Sequence, residues 1–344
     1  MIKLELVVTK VKVLVYFEQQ GKIKQSGIGR ALTHQKKALS LANIDFTLNK
    51  SDSYDLAHIN TVFSGSYRLL KKCHKKGMKV IVHGHSTKED FKNSFRCWKL
   101  MSPFFNKMIM RMYKHADAII TPTNYSKKLI ENYKGVKCPI YAISNGIMAD
   151  EYSYNEENVK AFDEFFKIQN GKKIVICAGL YFERKGILDF FEVAKNMPDV
   201  TFIWFSHLDT ILTQHKILKA IKTRPNNVLM PGYVDIKVLR GAFYRASCYF
   251  FPSYEENEGI AVLEAMASNL PIVIRDIGVF EDWLTDGIDC YKGKNNDEFI
   301  KKINKVLNEN NEEIILNAKK VIEQRTLDKI GKQIKEVYEI TYNS

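Results

Sequence analysis

Two glutamates eight positions apart are the residues of this 344-residue sequence best suited to chemistry. Glu256 and Glu264 lie in the segment FFPSYEENEGIAVLEAMA, where an apolar run leads through a Pro-Ser turn to a helix beginning at Gly259. A carboxylate on such a helix can bind two ribose hydroxyls, and the backbone N–H groups of Gly259, Ile260 and Ala261 can bind phosphate. Acidic residues on a helix are ordinarily solvated, but the strand, the turn and the glycine around this pair favour a functional interpretation.

A second candidate is the pair of cations in the segment GLYFERKG, which also follows an apolar run. Arg184 and Lys185 occupy its strand-to-helix loop. A guanidinium, an ammonium and the N-terminus of the next helix could together bind a diphosphate. Taken alone, a solvated charge pair is the more frequent explanation.

The segment SGIGR opens a helical stretch and contains Gly27 and Gly29. These glycines would let the backbone approach a phosphate closely. Leu32 replaces the third glycine of a dinucleotide fingerprint, so that class of site is not indicated. An isolated loop of this kind is more often a tight turn.

Histidines follow another apolar run, in VIVHGHSTKEDF. Either His83 or His85 could hydrogen-bond a substrate at the end of the strand. The alternative is a helix capped at Ser86 with Glu89 completing a capping box, and the two interpretations are compatible. A metal site would need a third ligand, which the sequence does not supply, and the six scattered cysteines show no zinc spacing.

Apolar runs without period-2 alternation are typical of parallel strands that are covered on both faces. They alternate with helical segments such as 29–42 and 64–76, which indicates βαβ units. The predicted strands cover residues 11–17, 56–60, 79–83, 118–122 and 140–143, and then 173–178, 200–206, 227–231, 247–252 and 271–275.

The second series of strands begins after a polar stretch, 152–171, that holds a helical segment of its own. The sequence therefore predicts an α/β protein of two doubly wound, Rossmann-like domains. The N-terminal domain is expected over residues 1–148 and the C-terminal domain over 149–318. A C-terminal helix is expected over 319–344, packing back on the N-terminal domain. Ligands of such sheets lie beyond the carboxyl ends of the strands, where the candidates above are found.

The E-x7-E block resembles the signature of the retaining glycosyltransferases of family 4, which have the GT-B fold of two Rossmann-like domains facing a cleft. The resemblance extends over nearly the whole chain, through PTNYS, ISNGI, RKG and PGYVD. It implies transfer of a sugar from a nucleotide diphosphate sugar with retention of configuration. No cofactor or metal is then expected beyond the UDP-sugar itself, because Asp-x-Asp is absent from the sequence and cations can replace the metal.

The resemblance also implies a role for each candidate. Arg184 and Lys185 would bind the donor diphosphate, and Glu264 the ribose. Glu256 would bind the hydroxyls of the transferred sugar, and main-chain groups of Gly259, Ile260 and Ala261 would also contact the donor. His85 would contact the donor sugar or stabilise the charge that develops near its anomeric carbon. Gly27 to Gly29 would close over the diphosphate from the other domain. The family's usual mechanism needs no side chain as general base. Leu180 and Glu258 depart from the family pattern and put diphosphate binding and the shape of the sugar pocket in question.

Positive charge is concentrated in one part of the sequence. The chain carries 52 Lys and Arg against 39 Asp and Glu, a formal charge of +13, and residues 68–114 hold thirteen basic residues against two acidic ones. Aromatic, methionine and aliphatic residues accompany these cations. After Pro103, a basic stripe of Lys107, Arg111 and Lys114 lies beside an apolar stripe, a pattern typical of a helix lying on an anionic membrane. The apolar stripe consists of Phe104, Phe105, Met108, Ile109 and Met112. The predicted membrane-binding residues are Arg96, Trp98, Lys99, Phe104, Phe105, Lys107, Arg111 and Lys114.

The alternative for this segment is an ordinary core face with a solvated basic surface. Nucleic acid is a less suitable partner, because no nucleic-acid-binding module is recognisable. The charged N-terminus lacks an apolar leader and no run approaches 18 apolar residues, so the sequence predicts a cytoplasmic protein, peripheral on the inner face of the membrane. Oligomeric state is left open.

The segments EQQGKIKQSGIGRALTHQ and HGHSTKEDFKNSF are most similar to Gram-positive enzymes that add a second hexose to α-monoglucosyl-diacylglycerol. That resemblance implies UDP-glucose or UDP-galactose as donor and a glycolipid acceptor, giving a diglycosyl lipid of the kind that anchors lipoteichoic acid. One alternative is a family member that acts on a soluble or polyprenyl-linked saccharide. Another is an inactive membrane-attached binding protein of the same fold.

Overall fold

The computed structural model describes residues 11–18, 27–169, 171–206 and 210–344. Contacts divide the chain into two compact units. The first unit comprises residues 1–85, 106–145 and 327–344, and the second comprises 86–105 and 146–326. Within the described ranges, no helix is both long and apolar enough to cross a membrane.

A parallel six-stranded sheet with the order β2-β1-β3-β4-β5-β6 forms the centre of the first unit. Its central strands are buried along their length, as expected for strands covered on both faces. The strands are β1 (Val13–Tyr16), β2 (Phe46–Thr47), β3 (Leu56–Ile59), β4 (Lys79–His83), β5 (Ala118–Thr121) and β6 (Ile140–Ala142). The helices of this unit are α1 (Gly27–Leu41), α2 (Ser64–Lys75), α4 (Asn124–Glu131) and α12 (Leu327–Tyr342).

The C-terminal helix α12 packs on α1. Ile330, Ile334 and Val337 recur at helical spacing and are buried. Gly331 lies at the closest approach, where an added Cβ would come within 2.2 Å of the Ala38 carbonyl oxygen. A side chain at this position would therefore push the two helices apart.

The second unit contains another parallel six-stranded sheet, with the order β12-β11-β10-β7-β8-β9. Its strands are β7 (Ile174–Ala178), β8 (Thr201–Phe205), β9 (Val228–Gly232), β10 (Cys248–Phe251), β11 (Ile272–Arg275) and β12 (Tyr291–Gly293). Its helices are α5 (Glu156–Phe166), α6 (Ile187–Lys195), α7 (His215–Lys222), α8 (Ile236–Arg245), α9 (Ile260–Ala267), α10 (Asn296–Asn308) and α11 (Glu312–Glu323).

The predicted α/β class with two doubly wound sheets is confirmed, and all ten predicted strands are present within about two residues of their predicted ends. The sequence did not indicate β2 and β12, which contain two and three residues at the edges of their sheets. Strands this short carry no apolar run long enough to identify them.

The division between units falls at residues 145 and 146, close to the predicted boundary at 148. Residues 86–105 nevertheless belong to the second unit and residues 327–344 to the first. The interpretation of a helix capped at Ser86 is wrong, because residues 88–97 form turns and Thr87 Oγ1 accepts a hydrogen bond from Asp90 N at 3.2 Å. The helix α3 (Trp98–Tyr113) follows these turns.

Candidate active site

The second unit brings the two predicted cations to one of the two predicted glutamates. Arg184 and Lys185 lie in a 3₁₀ turn after β7, and Glu256 lies in the loop after β10, a neighbouring strand. Gly186 permits this approach, since its φ is +74° and an added Cβ would come within 2.2 Å of the Pro252 carbonyl oxygen. Two loops at the carboxyl ends of adjacent strands therefore form one cluster.

Lys185 Nζ forms a short ion pair with Glu256 Oε1. The same carboxylate oxygen accepts a hydrogen bond from Ser253 Oγ at 2.5 Å and lies 3.8 Å from Arg184 Nη1. Burial alone would raise the pKa of Glu256, but the two cations and the serine outweigh it and hold that pKa below its usual value. Burial lowers the pKa of Lys185, and Glu256 offsets part of that effect.

Arg184 is oriented by the turns that precede α3. Its Nε donates to Ser94 Oγ at 2.6 Å, and its Nη1 donates to the Glu255 carbonyl oxygen at 2.8 Å. Phe95 packs on Phe182 nearby, with ring centroids 4.9 Å apart. Two residues of the segment 86–105, Ser94 and Phe95, therefore contact the loop that carries the cations.

Asp90 belongs to the same cluster. Asn257 Nδ2 donates to its carboxylate at 2.6 Å. Burial raises the pKa of Asp90 to about 6, with Glu256 adding to the rise and Arg184 opposing it. A carboxyl group that titrates near neutral pH beside a candidate phosphate site is a functional candidate.

Helix α9 carries the second glutamate. Its N-cap, Gly259, has a φ of +92°, so Ile260 and Ala261 stand in the first helical turn. Glu264 is on the following turn, with only 1% of its surface exposed. Glu258 is also buried and raises the pKa of Arg325, although burial leaves that pKa lower than usual overall.

In the first unit, His85 stands at the end of a row of histidines. Its ring stacks on that of His83 with centroids 3.8 Å apart, and His83 stacks on His58 at 5.2 Å. His85 Nε2 lies 3.0 Å from Asn60 Oδ1. Burial lowers the pKa of all three histidines, that of His83 to about 3, so the row is uncharged.

The two glycines of the SGIGR segment lie in the first turn of α1, and Gly29 is buried there. Residues 19–26, which precede them, lie outside the described residues. Across the described ranges, no group of three His, Cys, Asp or Glu residues is arranged to hold a metal ion.

Comparison with known families gives two matches that together cover most of the chain. Residues 25–151 match the model described as Glycosyltransferase Family 4, and residues 158–321 match Glycosyl transferases group 1. The processive diacylglycerol alpha-glucosyltransferase of Acholeplasma laidlawii is 51% identical over 328 residues, which cover 95% of this chain and 98% of that protein. The chain belongs to glycosyltransferase family 4.

Other relatives of this family 4 glycosyltransferase agree with that assignment. The alpha-galactosylglucosyldiacylglycerol synthase of Streptococcus pneumoniae is 30% identical over 33% of this chain and 31% of that protein. The solved structure of Anabaena HepE in complex with UDP-glucose has a TM-score of 0.76 at 16% identity, covering 96% of this chain and 99% of that one. The structural likeness supports the GT-B fold.

A helix, α3, covers most of the segment that the sequence predicts to lie on a membrane, but the burial of its faces differs from that prediction. Ile109 and Met112, which were assigned to the lipid-facing stripe, are fully buried. Phe105 stacks on Phe91 at 4.1 Å, and the Arg111 guanidinium lies 4.3 Å from the centre of the Tyr67 ring. In the second half of α3, the face that carries Ile109 and Met112 therefore packs in the protein core.

The first half of α3 presents a different surface. Leu100 is 83% exposed, Phe104 is 67% exposed, and Met101 is also exposed. Trp98, two residues before Leu100, is half-buried. The exposed cations near these side chains in the sequence are Arg96, Lys99, Lys107 and, just after the end of α3, Lys114. This surface, formed by Leu100, Met101 and Phe104, is called the apolar patch below.

The sequence pointed to the charged cluster through its motifs but missed several members of the two sites. Asp90, Ser94 and Asn257 lie in stretches whose polarity is ordinary for loops. His58 lies within β3, and Asn60 directly follows that strand in the run LAHIN. For Asn60, a polar residue at the carboxyl end of a predicted parallel strand was the available signal.

Proposed function

We propose that this glycosyltransferase moves a hexose from a UDP-sugar to α-monoglucosyl-diacylglycerol and produces a diglycosyl-diacylglycerol. The observation that carries the donor half of the proposal is the cluster of Arg184, Lys185 and Glu256 at the ends of β7 and β10. Two cations match the charge of a diphosphate, and the carboxylate can accept hydrogen bonds from sugar hydroxyls. The relative that is 51% identical is an alpha-glucosyltransferase, which favours glucose over galactose as the transferred sugar.

Each partner of the Lys185–Glu256 ion pair has a separate role once donor binds. Lys185 stabilises the diphosphate, which becomes more negative as the sugar leaves, and Arg184 adds to that field. Glu256 orients the sugar through its hydroxyls, and Glu264 binds the ribose. The N-terminal turn of α9 offers the N–H groups of Ile260 and Ala261 to phosphate oxygens.

The transfer itself retains the configuration at the anomeric carbon. The bond from that carbon to the phosphate oxygen breaks, and a bond to the acceptor hydroxyl oxygen forms on the same face. The acceptor proton moves to an oxygen of the departing diphosphate, so no side chain acts as general base and no metal is required. The family resemblance assigns contacts with the diphosphate to Gly27 and Gly29 and contacts with the transferred sugar to His85.

The acceptor half of the proposal rests on the apolar patch. Ile211 and Leu212 are exposed and belong to the same unit, and Arg96 N donates to the Leu212 carbonyl oxygen at 2.8 Å. Exposed apolar side chains with exposed cations near them in the sequence are suited to the surface of an anionic bilayer, where each cation contributes about 1 kcal/mol. The protein then acts as a peripheral enzyme on the inner face of the cell membrane.

The decisive assay is transfer from labelled UDP-glucose and UDP-galactose to monoglucosyl-diacylglycerol in phosphatidylglycerol vesicles, followed by linkage analysis. A disaccharide lipid with an α-linkage is the expected product. Absence of any disaccharide lipid with either donor would contradict the proposal. Preferential transfer to a water-soluble saccharide in the absence of lipid would show that the acceptor is that saccharide and not the glycolipid.

Vesicle flotation tests the membrane surface separately. Replacing Leu100 and Phe104 together by serine should lower binding to phosphatidylglycerol vesicles about tenfold or more, since each removes exposed apolar surface that would enter the bilayer. Leu316→Ser, at an exposed leucine of α11, is the matched control and should bind like the parent protein. Equal binding by all three proteins would remove the apolar patch from the proposal.

A further inference from the structure

A cavity of about 500 Å³ lies beside the cluster of Arg184, Lys185 and Glu256 in the second unit and shares only Arg184 with it. The cavity is lined by the loop residues Asn93 and Tyr254, by Leu188, Asp189 and Glu192 of α6, and by Asn296 of α10. Its volume is within the range of small-molecule sites, about 300–1,000 Å³. The proposed contacts with the donor leave this cavity without a role.

Tyr254 is fixed in the wall of this cavity although much of its surface is open. Its N–H donates to the Arg184 carbonyl oxygen at 2.7 Å, and its hydroxyl donates to Asp189 Oδ1 at 3.0 Å. The Arg275 guanidinium lies 3.8 Å from the ring centre and forms an ion pair with Asp189 at 3.2 Å. Tyr254 is nevertheless 49% exposed. The ring therefore offers a ligand a flat apolar surface that is already ordered.

The charges around the cavity largely cancel. The ion pair just described compensates Asp189. Glu183, which also lines the cavity, has its Oε1 2.5 Å from Lys216 Nζ. The remaining charged side chains of the wall, Arg184 and Glu192, have opposite signs. A phosphate or a metal ion is favoured by an excess of one sign, so this wall suits a neutral ligand.

The polar groups of the wall are of the kind that recognises hydroxyl groups. The Glu192 carboxylate can accept hydrogen bonds, and the amides of Asn93 and Asn296 can both donate and accept them. Glu192 and Asn93 are exposed, so a ligand can reach them. A pyranose ring can pack its C–H face on an aromatic ring while its hydroxyls bond to such groups. The cavity therefore fits a neutral hexose.

The position of the cavity indicates where such a sugar would come from. A second cavity, of about 470 Å³, adjoins the first, since Asn93 and Glu183 line both. Trp98 and Leu100 also line this second cavity. Because Leu100 belongs to the apolar patch, the cavity at Tyr254 lies near the surface that is proposed to enter the bilayer. A sugar carried by a membrane lipid would be presented there.

We propose that the cavity at Tyr254 binds the neutral hexosyl headgroup of a membrane glycolipid, at a site separate from the donor cluster. The sugar ring stacks on Tyr254, and its hydroxyls bond to Glu192, Asn93 and Asn296. The choice of a lipid-borne sugar over a free one rests on the proposed function. A headgroup held in this way keeps the enzyme on glycolipid-containing membrane between transfers.

The direct test follows the ring signals of ¹³C-labelled tyrosine during titration with methyl α-D-glucopyranoside, while UDP saturates the donor cluster. Tyr254, assigned by the loss of its signals in Tyr254→Phe, should shift with a Kd on the order of 10 mM. Tyr154, an exposed tyrosine of the same unit outside the cavity, should not shift. Equal shifts of both tyrosines, or no shift of Tyr254, would overturn the proposal.

Vesicle flotation distinguishes a lipid-borne sugar from a free one. Monoglucosyl-diacylglycerol added to phosphatidylglycerol vesicles should tighten the binding of the parent protein about fivefold. Tyr254→Ala and Glu192→Ala should each lose most of that gain, and the matched control Tyr154→Ala should keep it. If both variants keep the gain although free sugar shifts Tyr254, the occupant is a soluble saccharide and the glycolipid is ruled out.

A purely structural role for Tyr254, as a cover for Arg275, predicts a different pattern. Tyr254→Ala would then lose thermal stability and UDP affinity, and Glu192→Ala would keep the full gain from glycolipid. The proposal instead predicts a change in UDP affinity of less than about twofold in both variants. Transfer is measured separately: transfer without a response of Tyr254 contradicts this inference alone, and a response without transfer contradicts only the proposed function.

Discussion

The two candidate sites lie at the ends of parallel strands in two similar sheets, yet they handle charge in opposite ways. In the first unit, His58 and His83 are buried and His85 is partly buried, and burial lowers the pKa values of all three until they are uncharged. In the second unit, Glu256 is equally buried but stays ionised because Lys185 and Arg184 face it. Burial determines the charge of a group only together with the partners that are buried with it.

This contrast matches a division of labour between phosphates and hydroxyls. A diphosphate needs cations held in place, whereas sugar hydroxyls are recognised by uncharged donors and acceptors. We therefore expect different consequences from three changes. They are the removal of one partner of the ionic cluster, the neutralisation of one of its carboxylates, and the removal of one histidine of the neutral row.

The largest effect is expected from Glu256→Ala. This change leaves Lys185 buried without its ion-pair partner and removes the acceptor for sugar hydroxyls, so kcat/KM should fall at least about 100-fold, roughly 3 kcal/mol. Transfer of labelled hexose measures it, with Glu281→Ala, at an exposed glutamate of the same unit, as control. A variant that stays folded and retains more than about a tenth of the activity would contradict the assignment of Glu256.

A smaller effect is expected on the acid stability of the neutral row. His83 binds a proton in the unfolded chain at its usual pKa near 6.5, but in the native protein only at about 3. Stability is therefore highest above pH 6.5 and falls as the pH is lowered toward 3, by about 1 kcal/mol at pH 5.5 for this group alone.

Urea unfolding at pH 7.5 and 5.5 measures this loss. His83→Phe should reduce it by about the same amount, whatever the change does to stability at pH 7.5. His215→Phe, at an exposed position of α7, is the control and should leave the loss as in the parent protein. If His83→Phe loses as much stability between pH 7.5 and 5.5 as the parent protein does, His83 in the native protein already binds a proton in this pH range.

The smallest effect concerns Asp90, whose pKa is raised to about 6 beside Arg184. As the pH falls through 6, the carboxylate gains a proton and stops neutralising the arginine, so UDP should bind a few-fold more tightly. Asp90→Asn should bind UDP about fivefold more tightly at pH 7.5, on the order of 1 kcal/mol, and lose the dependence near pH 6. Calorimetric titration of the parent protein and of Asp90→Asn with UDP at several pH values measures both effects. If the UDP affinity of the variant still changes near pH 6, another group is responsible.

Much of the fold could be predicted because strands covered on both faces are apolar throughout. The faces of α3 could not be, since the same amphipathic pattern suits a lipid surface and a protein core. The structure buries Ile109 and Met112 and exposes Phe104, although all three belong to one predicted stripe. Which part of an apolar stripe is covered depends on elements distant in sequence.

The sequence by itself determined the residues that are chemically specific at short spacing: the cations of the RKG loop, the two glutamates around Gly259, and His85 after β4. Only the tertiary structure decided their partners. Asn257 meets Asp90 across 167 residues of sequence, and Tyr338 meets His58 across 280. A local motif depends on backbone geometry within a few residues, whereas charge state and tautomer depend on everything that packs around a group.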